Sequence, residues 1–232
     1  VAITLVQSRQ GVDSLATSVA LAYSSALTSG SFLIVTAWSY NKAAMSISDT
    51  ASHTWTAVSA QVDLGTPANG MGMRSWTAPN TGTATPTVTV TGSSGDYMGI
   101  VISEWSGVDS TTPLDGVTPV TSTQSTSSTV TAGPITPNSD NSVLYGALVA
   151  DHSSDPTTTV TNGTVLQQRT TWQADTAFAT AYEPQTTAAS ESVTWTITNV
   201  TAQRSQVFVL KAASGSGNQT WTGSAAAVTL VA

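Results

Sequence analysis

Cysteine is absent from this chain of 232 residues, which excludes disulfide staples and thiolate zinc sites. Charge is scarce as well. Asp, Glu, Lys and Arg make up 8% of the residues, where an ordinary soluble domain carries roughly a quarter. The surface must therefore be built of Ser, Thr, Asn and Gln, a composition suited to extracellular proteins, fibres and virion parts. Positive charge is scarcest: 6 basic residues stand against 13 acidic ones, for a net charge of −7. That balance argues against a nucleic-acid partner, because affinity for phosphates rests on Lys and Arg. Long apolar runs are missing too. The longest, residues 32–38, falls far short of a bilayer span, so no membrane insertion is expected. Neither a Gly-x-Ser-x-Gly nucleophile elbow nor a glycine-rich phosphate loop occurs.

What is present is alternation with a period of two. Ile3-Thr4-Leu5-Val6, Thr87-Val88-Thr89-Val90-Thr91 and Ser192-Val193-Thr194-Trp195-Thr196-Ile197 place Thr on a wet side and Val, Trp or Ile on a core side, as half-buried strands do. Residues 32–38, 97–102 and 143–150 are apolar on both faces and read as central strands packed between layers. Turn signals separate them: Thr28-Ser29-Gly30, Pro67-Ala68-Asn69-Gly70, Pro79-Asn80-Thr81-Gly82, Gly92-Ser93-Ser94-Gly95, Pro137-Asn138-Ser139-Asp140 and Asn162-Gly163. Residues 11–26 have the Ala and Leu of a helix, but their Ser, Thr and Val favour a strand. The pattern predicts an all-β fold, an antiparallel β-sandwich of jelly-roll type.

The chain also reads as written twice. Ser31-Phe32-Leu33-Ile34-Val35-Thr36-Ala37-Trp38 returns as Ser142-Val143-Leu144-Tyr145-Gly146-Ala147-Leu148-Val149, an offset of 143 − 32 = 111. Val88-Thr89-Val90-Thr91 returns as Val193-Thr194-Trp195-Thr196, an offset of 193 − 88 = 105. So long a period is no short solenoid unit; it implies two pseudo-symmetric sheet modules. The first is expected over residues 1–112, ending in the polar connection Asp109-Ser110-Thr111-Thr112-Pro113, and the second over 113–213. A linker and strand-like tail follow over 214–232, opening on Ser214-Gly215-Ser216-Gly217. In that tail Ala226, Val228 and Leu230 alternate on one face. They are the expected contacts if the strand joins a neighbouring subunit rather than folding back on its own sheet. The chain opens on Val1 rather than Met, as one does from which a leader has been removed or whose end has been trimmed.

The phrase Ile102-Ser103-Glu104-Trp105-Ser106-Gly107-Val108-Asp109, followed by Pro113-Leu114-Asp115, resembles a signature of duplicated β-sandwich modules in bacterial and phage exterior proteins. The opening Leu5-Val6-Gln7-Ser8 and the turn over residues 49–55 fit the same pattern. The resemblance covers residues 3–212 and rests on structural motifs. It implies a surface-exposed, assembled protein and carries no catalytic set.

Candidate chemistry is sparse. His53 suits a loop tip, and His152 lies in Asp151-His152-Ser153-Ser154-Asp155, where Asp151 and Asp155 could offer oxygen ligands to calcium; no other cofactor is expected. Glu104, Glu183 and Asp151 are the acids a glycoside hydrolase could use, and their positions favour exposed strand ends instead. Seven Trp are generous for so uncharged a chain. Trp38, Trp55 and Trp195 read as core, whereas Trp76, Trp105 and Trp172, with Tyr182, are the rings a carbohydrate-binding face would use. The expectation is a non-catalytic structural subunit of an extracellular, cell-surface or virion assembly: a fibre, surface layer or decoration, with itself or other surface proteins as partners. A carbohydrate-binding or adhesion module with a polysaccharide partner is the alternative, and a glycoside hydrolase the more distant one.

Overall fold

The structure, a computed structural model, describes residues 1–40, 42–66, 69–152, 158–169 and 176–214. Every regular element among them is a strand: β1 Thr4–Ala22, β2 Phe32–Tyr40, β3 Met45–Asp49, β4 Thr56–Ala57, β5 Val62–Thr66, β6 Asn69–Pro79, β7 Thr87–Ser106, β8 Val120–Thr121, β9 Thr129–Ile135, β10 Ser142–His152, β11 Thr158–Asn162, β12 Thr164–Arg169, β13 Thr176–Gln185, β14 Glu191–Ile197 and β15 Val200–Leu210. All pairings between them are antiparallel. No helix of the described residues is long and apolar enough to cross a membrane.

The strands form three sheets, and the first is bent. Its order is β1-β7-β2-β6-β4, with β5 also on β6 and β3 also on β7. β1 and β7 are long enough to serve two layers. Residues 4–13 of β1 pair with 98–106 of β7 in the layer of β2 and β6, while residues 18–22 pair with 87–91 beside β3. Register shifts between Asp13 and Ala16 and between Ala16 and Ser18 mark the bend, as extra residues on one strand do. Here the structure corrects the sequence reading. Residues 92–95 form no turn between separate strands; β7 runs through them, with Gly92 buried where the strand passes between layers.

After residue 112 the same order appears in two separate sheets. β8-β15-β10-β13-β12 corresponds to β1-β7-β2-β6-β5, and β9-β14-β11 to the outer ribbon of β1, β7 and β3. Where the first sheet has the single long β7, these two sheets have β14 and β15, split by a turn at Asn199 with φ 57°.

Burial follows the pleat, since alternate residues face opposite sides. On β2, Leu33, Val35 and Ala37 enter a core enclosed by the bent first sheet, while Phe32, Ile34 and Trp38 enter a second core. On β10, Leu144, Leu148 and Ala150 face the ribbon carrying Val193, Trp195 and Ile197, while Val143, Tyr145, Ala147 and Val149 enter that same second core. Four layers result, with one central core built from both sides of residue 112. Both faces of β2 and β10 are covered, so their runs are apolar throughout.

Aromatic rings dominate the central core. Trp38 stacks on Phe178 with centroids 4.3 Å apart, and Tyr145 on Phe208 at 4.9 Å. Polar tips are satisfied across it: Trp38 Nε1 donates to the Leu148 carbonyl at 3.0 Å, and the Tyr145 and Thr36 hydroxyls lie 3.2 Å apart. Burial pushes the Tyr145 phenol up to about 12. Arg204 Nη1 also reaches the Asp63 carbonyl at 2.7 Å, and Gln206 Nε2 the Ser59 hydroxyl at 2.6 Å.

Candidate functional site

Of the rings singled out in the sequence, Trp76 and Trp105 lie inside cores. Trp76 is 4% exposed inside the first-half core, with the Arg74 guanidinium 5.3 Å from its ring centroid. Trp105 is fully buried in the central core; its Nε1 donates to the Ser103 hydroxyl at 2.9 Å, and its ring meets Tyr145 and Tyr182 edge-on. Tyr182 is half-buried against the same cluster. Rings so enclosed offer no open face to a pyranose, which corrects the reading of Trp76 and Trp105. Trp172 lies outside the described residues. Trp38, at the end of its doubly apolar run, and Trp195, on its alternating strand, are fully buried, and Trp55 is half-buried.

Asp151 is half-buried near the end of β10, and its candidate partner Asp155 lies outside the described residues. Among the described residues no group of three or more His, Asp or Glu could hold a metal ion. Ala226, Val228 and Leu230 also lie outside them.

Glu104 requires a correction. It is not an exposed strand-end acid but fully buried, accepting from the Thr28 amide at 2.6 Å and from Gln7 Nε2 at 2.7 Å. Nearby Tyr23 is pushed well above the ordinary phenol range, first by burial and then by the charge of Glu104. Glu183 is half-buried, and desolvation, with Glu191 beside it, raises its carboxyl. The half-buried Asp109 is held below the usual carboxylate range by the Thr112 and Thr111 amides, with Lys211 adding to the effect.

A polar cleft with a built wall lies where the loop after β3 meets the end of β6. Asp49, the last residue of β3, organises that loop. Its Oδ1 accepts from the Ala51 amide at 2.7 Å, and its Oδ2 from the His53 amide at 3.2 Å and Trp55 Nε1 at 2.6 Å. This is an Asx-type turn, in which the side chain substitutes for strand hydrogen bonding, and it holds Ser52 at φ 61°. The His53 ring then bridges two elements, with Nδ1 3.1 Å from Asp49 Oδ1 and Nε2 3.1 Å from Asn80 Oδ1. Asn80, 1% exposed, donates through Nδ2 to the Thr28 carbonyl at 2.7 Å and the Gly82 carbonyl at 3.0 Å. Those two carbonyls fix which end of the amide faces the imidazole.

The resulting cleft holds about 320 Å³ and is lined by residues including Leu27, Ser52, His53, Thr54, Asn80 and Thr81. It offers hydroxyls and an imidazole edge to a neutral polar ligand. It lacks an activated nucleophile: both nitrogens of His53 are committed to oxygen partners, and Asp49 has no exposed side-chain surface. Sequence reasoning placed His53 at a loop tip, yet its side chain is 9% exposed. Asp49 four residues ahead was a legible signal of the turn; Asn80, 27 residues away, was not. No protein-family model, curated protein or solved structure matches the chain.

Proposed function

We propose that the protein is a non-catalytic structural subunit of an extracellular or virion assembly, a fibre, surface layer or decoration, joined in part by pairing of terminal strands. The observation that carries this reading is where the polar groups go. Glu104, Asp49, His53 and Asn80 are the best placed for chemistry, and each is taken up in holding a loop to a strand. The uncharged outside suits an extracellular, cell-surface or virion location.

Internal duplication and a jelly-roll origin belong to the same proposal. In each half the first and last strand segments are neighbours and the chain crosses repeatedly between an inner and an outer layer, with β4, β5 and β6, and likewise β12 and β13, following one another in the inner one; this supports a double-sheet jelly-roll origin. That the sequence offsets and the strand order agree supports descent of both halves from one module.

The test is the state of the purified full chain. Ordered assembly is expected by electron microscopy and light scattering, and removal of residues 214–232 is expected to leave a folded monomer by circular dichroism. A full chain that stays monomeric at high concentration would overturn the subunit reading. A second reading, carbohydrate binding, is favoured by the hydroxyl-lined cleft beside His53. Saturable glycan binding lost in Asn80→Ala, with the fold retained, would establish it.

A further inference from the structure

The edges of the sheets are unequally protected. An exposed edge strand is a template for another chain, and proteins blunt it by shortening, bulges, proline or capping side chains. β4 and β8 have two residues each. β5 is capped by side chains: the Asp63 carbonyl accepts from Arg204 Nη1, the Gly65 carbonyl from Lys42 Nζ, and the Gly65 amide donates to Gln124 Oε1. β9 contains Pro134, and register shifts interrupt β11 and β12. β3 is five residues long, and Arg74 takes its Met45 carbonyl.

β1 differs. Residues 7–13 pair without interruption with 98–104 on one side, and among the described residues no strand pairs with the other side. Arg9, the basic side chain of this stretch, turns away to the Ala22 carbonyl at 2.7 Å. The large hydrophobic residues most exposed among those described gather on the same flank. Val1 is 67% exposed, Val6 44% at the bulge in β1, and Val165 43% on β12, whose Gln167 donates to the Ser8 hydroxyl at 2.8 Å.

We infer that residues 7–13 of β1 receive, as an added antiparallel strand, residues 225–231 of a second copy of this chain. The inference rests on the assembly reading above and names its joint. Both segments have seven residues. In the register that opposes Gln10 to Val228, the faces agree: Ala226, Val228 and Leu230 lie opposite Val12, Gln10 and Ser8. Val12 packs on the central core and Ser8 bonds β12, so the apolar face of the incoming strand would extend that core at its rim.

The chain's own tail fits this register poorly. Ala213 lies against Val1, its carbonyl 3.3 Å from the Val1 amine. From there to the far end of the ladder at Asp13 is 13 − 1 = 12 residues of chain, most of them in β1, about 40 Å at strand rise. The 225 − 213 = 12 steps to Ala225 reach at most about 43 Å, so pairing within one molecule would pull the Ser-Gly linker almost straight. A second copy meets no such limit.

The chain has no cysteine, so introduced thiols report contacts cleanly. Full-length Arg9→Cys and Thr229→Cys chains, mixed under mild oxidation, are expected to give a disulfide-linked pair of one chain of each kind, since opposed residues in a ladder lie within disulfide reach. Val6→Lys in the Arg9→Cys chain is expected to cut that yield at least fivefold. Cross-linking confined to a single chain carrying both cysteines would mean that the strand completes its own sheet, overturning the inference. Assembly by light scattering without any cross-link would also overturn it and leave the subunit reading standing. Absence of assembly would sink both.

Discussion

Gly146 shows how closely the core between β10 and β14 is packed. A Cβ at this position would lie 2.7 Å from Trp195 Cη2 and 2.9 Å from Val193 Cβ, and neither side chain has room to retreat because both are fully buried. At the sequence offsets of 111 and 105, Gly146 aligns with Val35 and Trp195 with Val90. One half thus fills its core with two valines and the other with a glycine and a tryptophan, an exchange that keeps volume roughly constant. Gly146→Ala is expected to destabilise the protein by about 1–3 kcal/mol through overpacking, read as a lower urea midpoint with unchanged slope. Both aligned pairs were legible in the sequence. That they face one another was not, because alternation assigns a residue to a face without saying what lies across it.

Among elements, the hold on two turns is the informative feature. The turn before β2 is fastened through the Thr28 amide to Glu104, and the turn before β10 through the Asn138 and Ser139 amides to Asp115. In each case a carboxylate accepts from turn amides that no strand partner serves. Glu104→Gln preserves shape but replaces one acceptor with a donor, facing either the Thr28 amide or Gln7 Nε2. Gln7 cannot simply turn over, since its Oε1 already accepts from the Ser24 and Ser25 amides. A buried donor is left unpaired, and a loss of about 1–3 kcal/mol is expected, measured by chemical denaturation beside Glu183→Gln on the half-buried acid. An equal, negligible effect of both substitutions would disprove the clamp. Thr28-Ser29-Gly30 and Pro137-Asn138-Ser139-Asp140 were recognisable as turns from local composition. Their carboxylates, 76 and 23 residues away, lie outside any local pattern, and Glu104 therefore read as a surface acid.

For the whole molecule, the central aromatic core decides how it unfolds. Trp38, Trp105, Tyr145, Phe178 and Phe208 come from both sides of residue 112, so neither half keeps its inner sheet covered when the other opens. One cooperative thermal transition is expected by calorimetry and circular dichroism, and Trp38→Ala is expected to cost about 3–5 kcal/mol and shift that transition without dividing it. Two transitions, only one of them moved by Trp38→Ala, would show that the halves fold independently. The doubly apolar runs at 32–38 and 143–150 announced strands covered on both faces. Which surfaces would cover them depended on contacts more than a hundred residues apart, such as Trp38 with Leu148.

The contact of the Val1 amine with the Ala213 carbonyl at 3.3 Å gives the described body the character of a ring cut at one point. The chain itself passes from one half to the other through the connection that runs from Ser106 past Asp109 and Pro113 to β8, bonded along the end of β15. A bridge of a few residues from Ala213 to Val1, with the ring reopened at Thr112, would give a circular permutant that is made second half first and still brings every strand to its present neighbours. The order in which the ribosome delivers the two halves is therefore independent of the shape they take together.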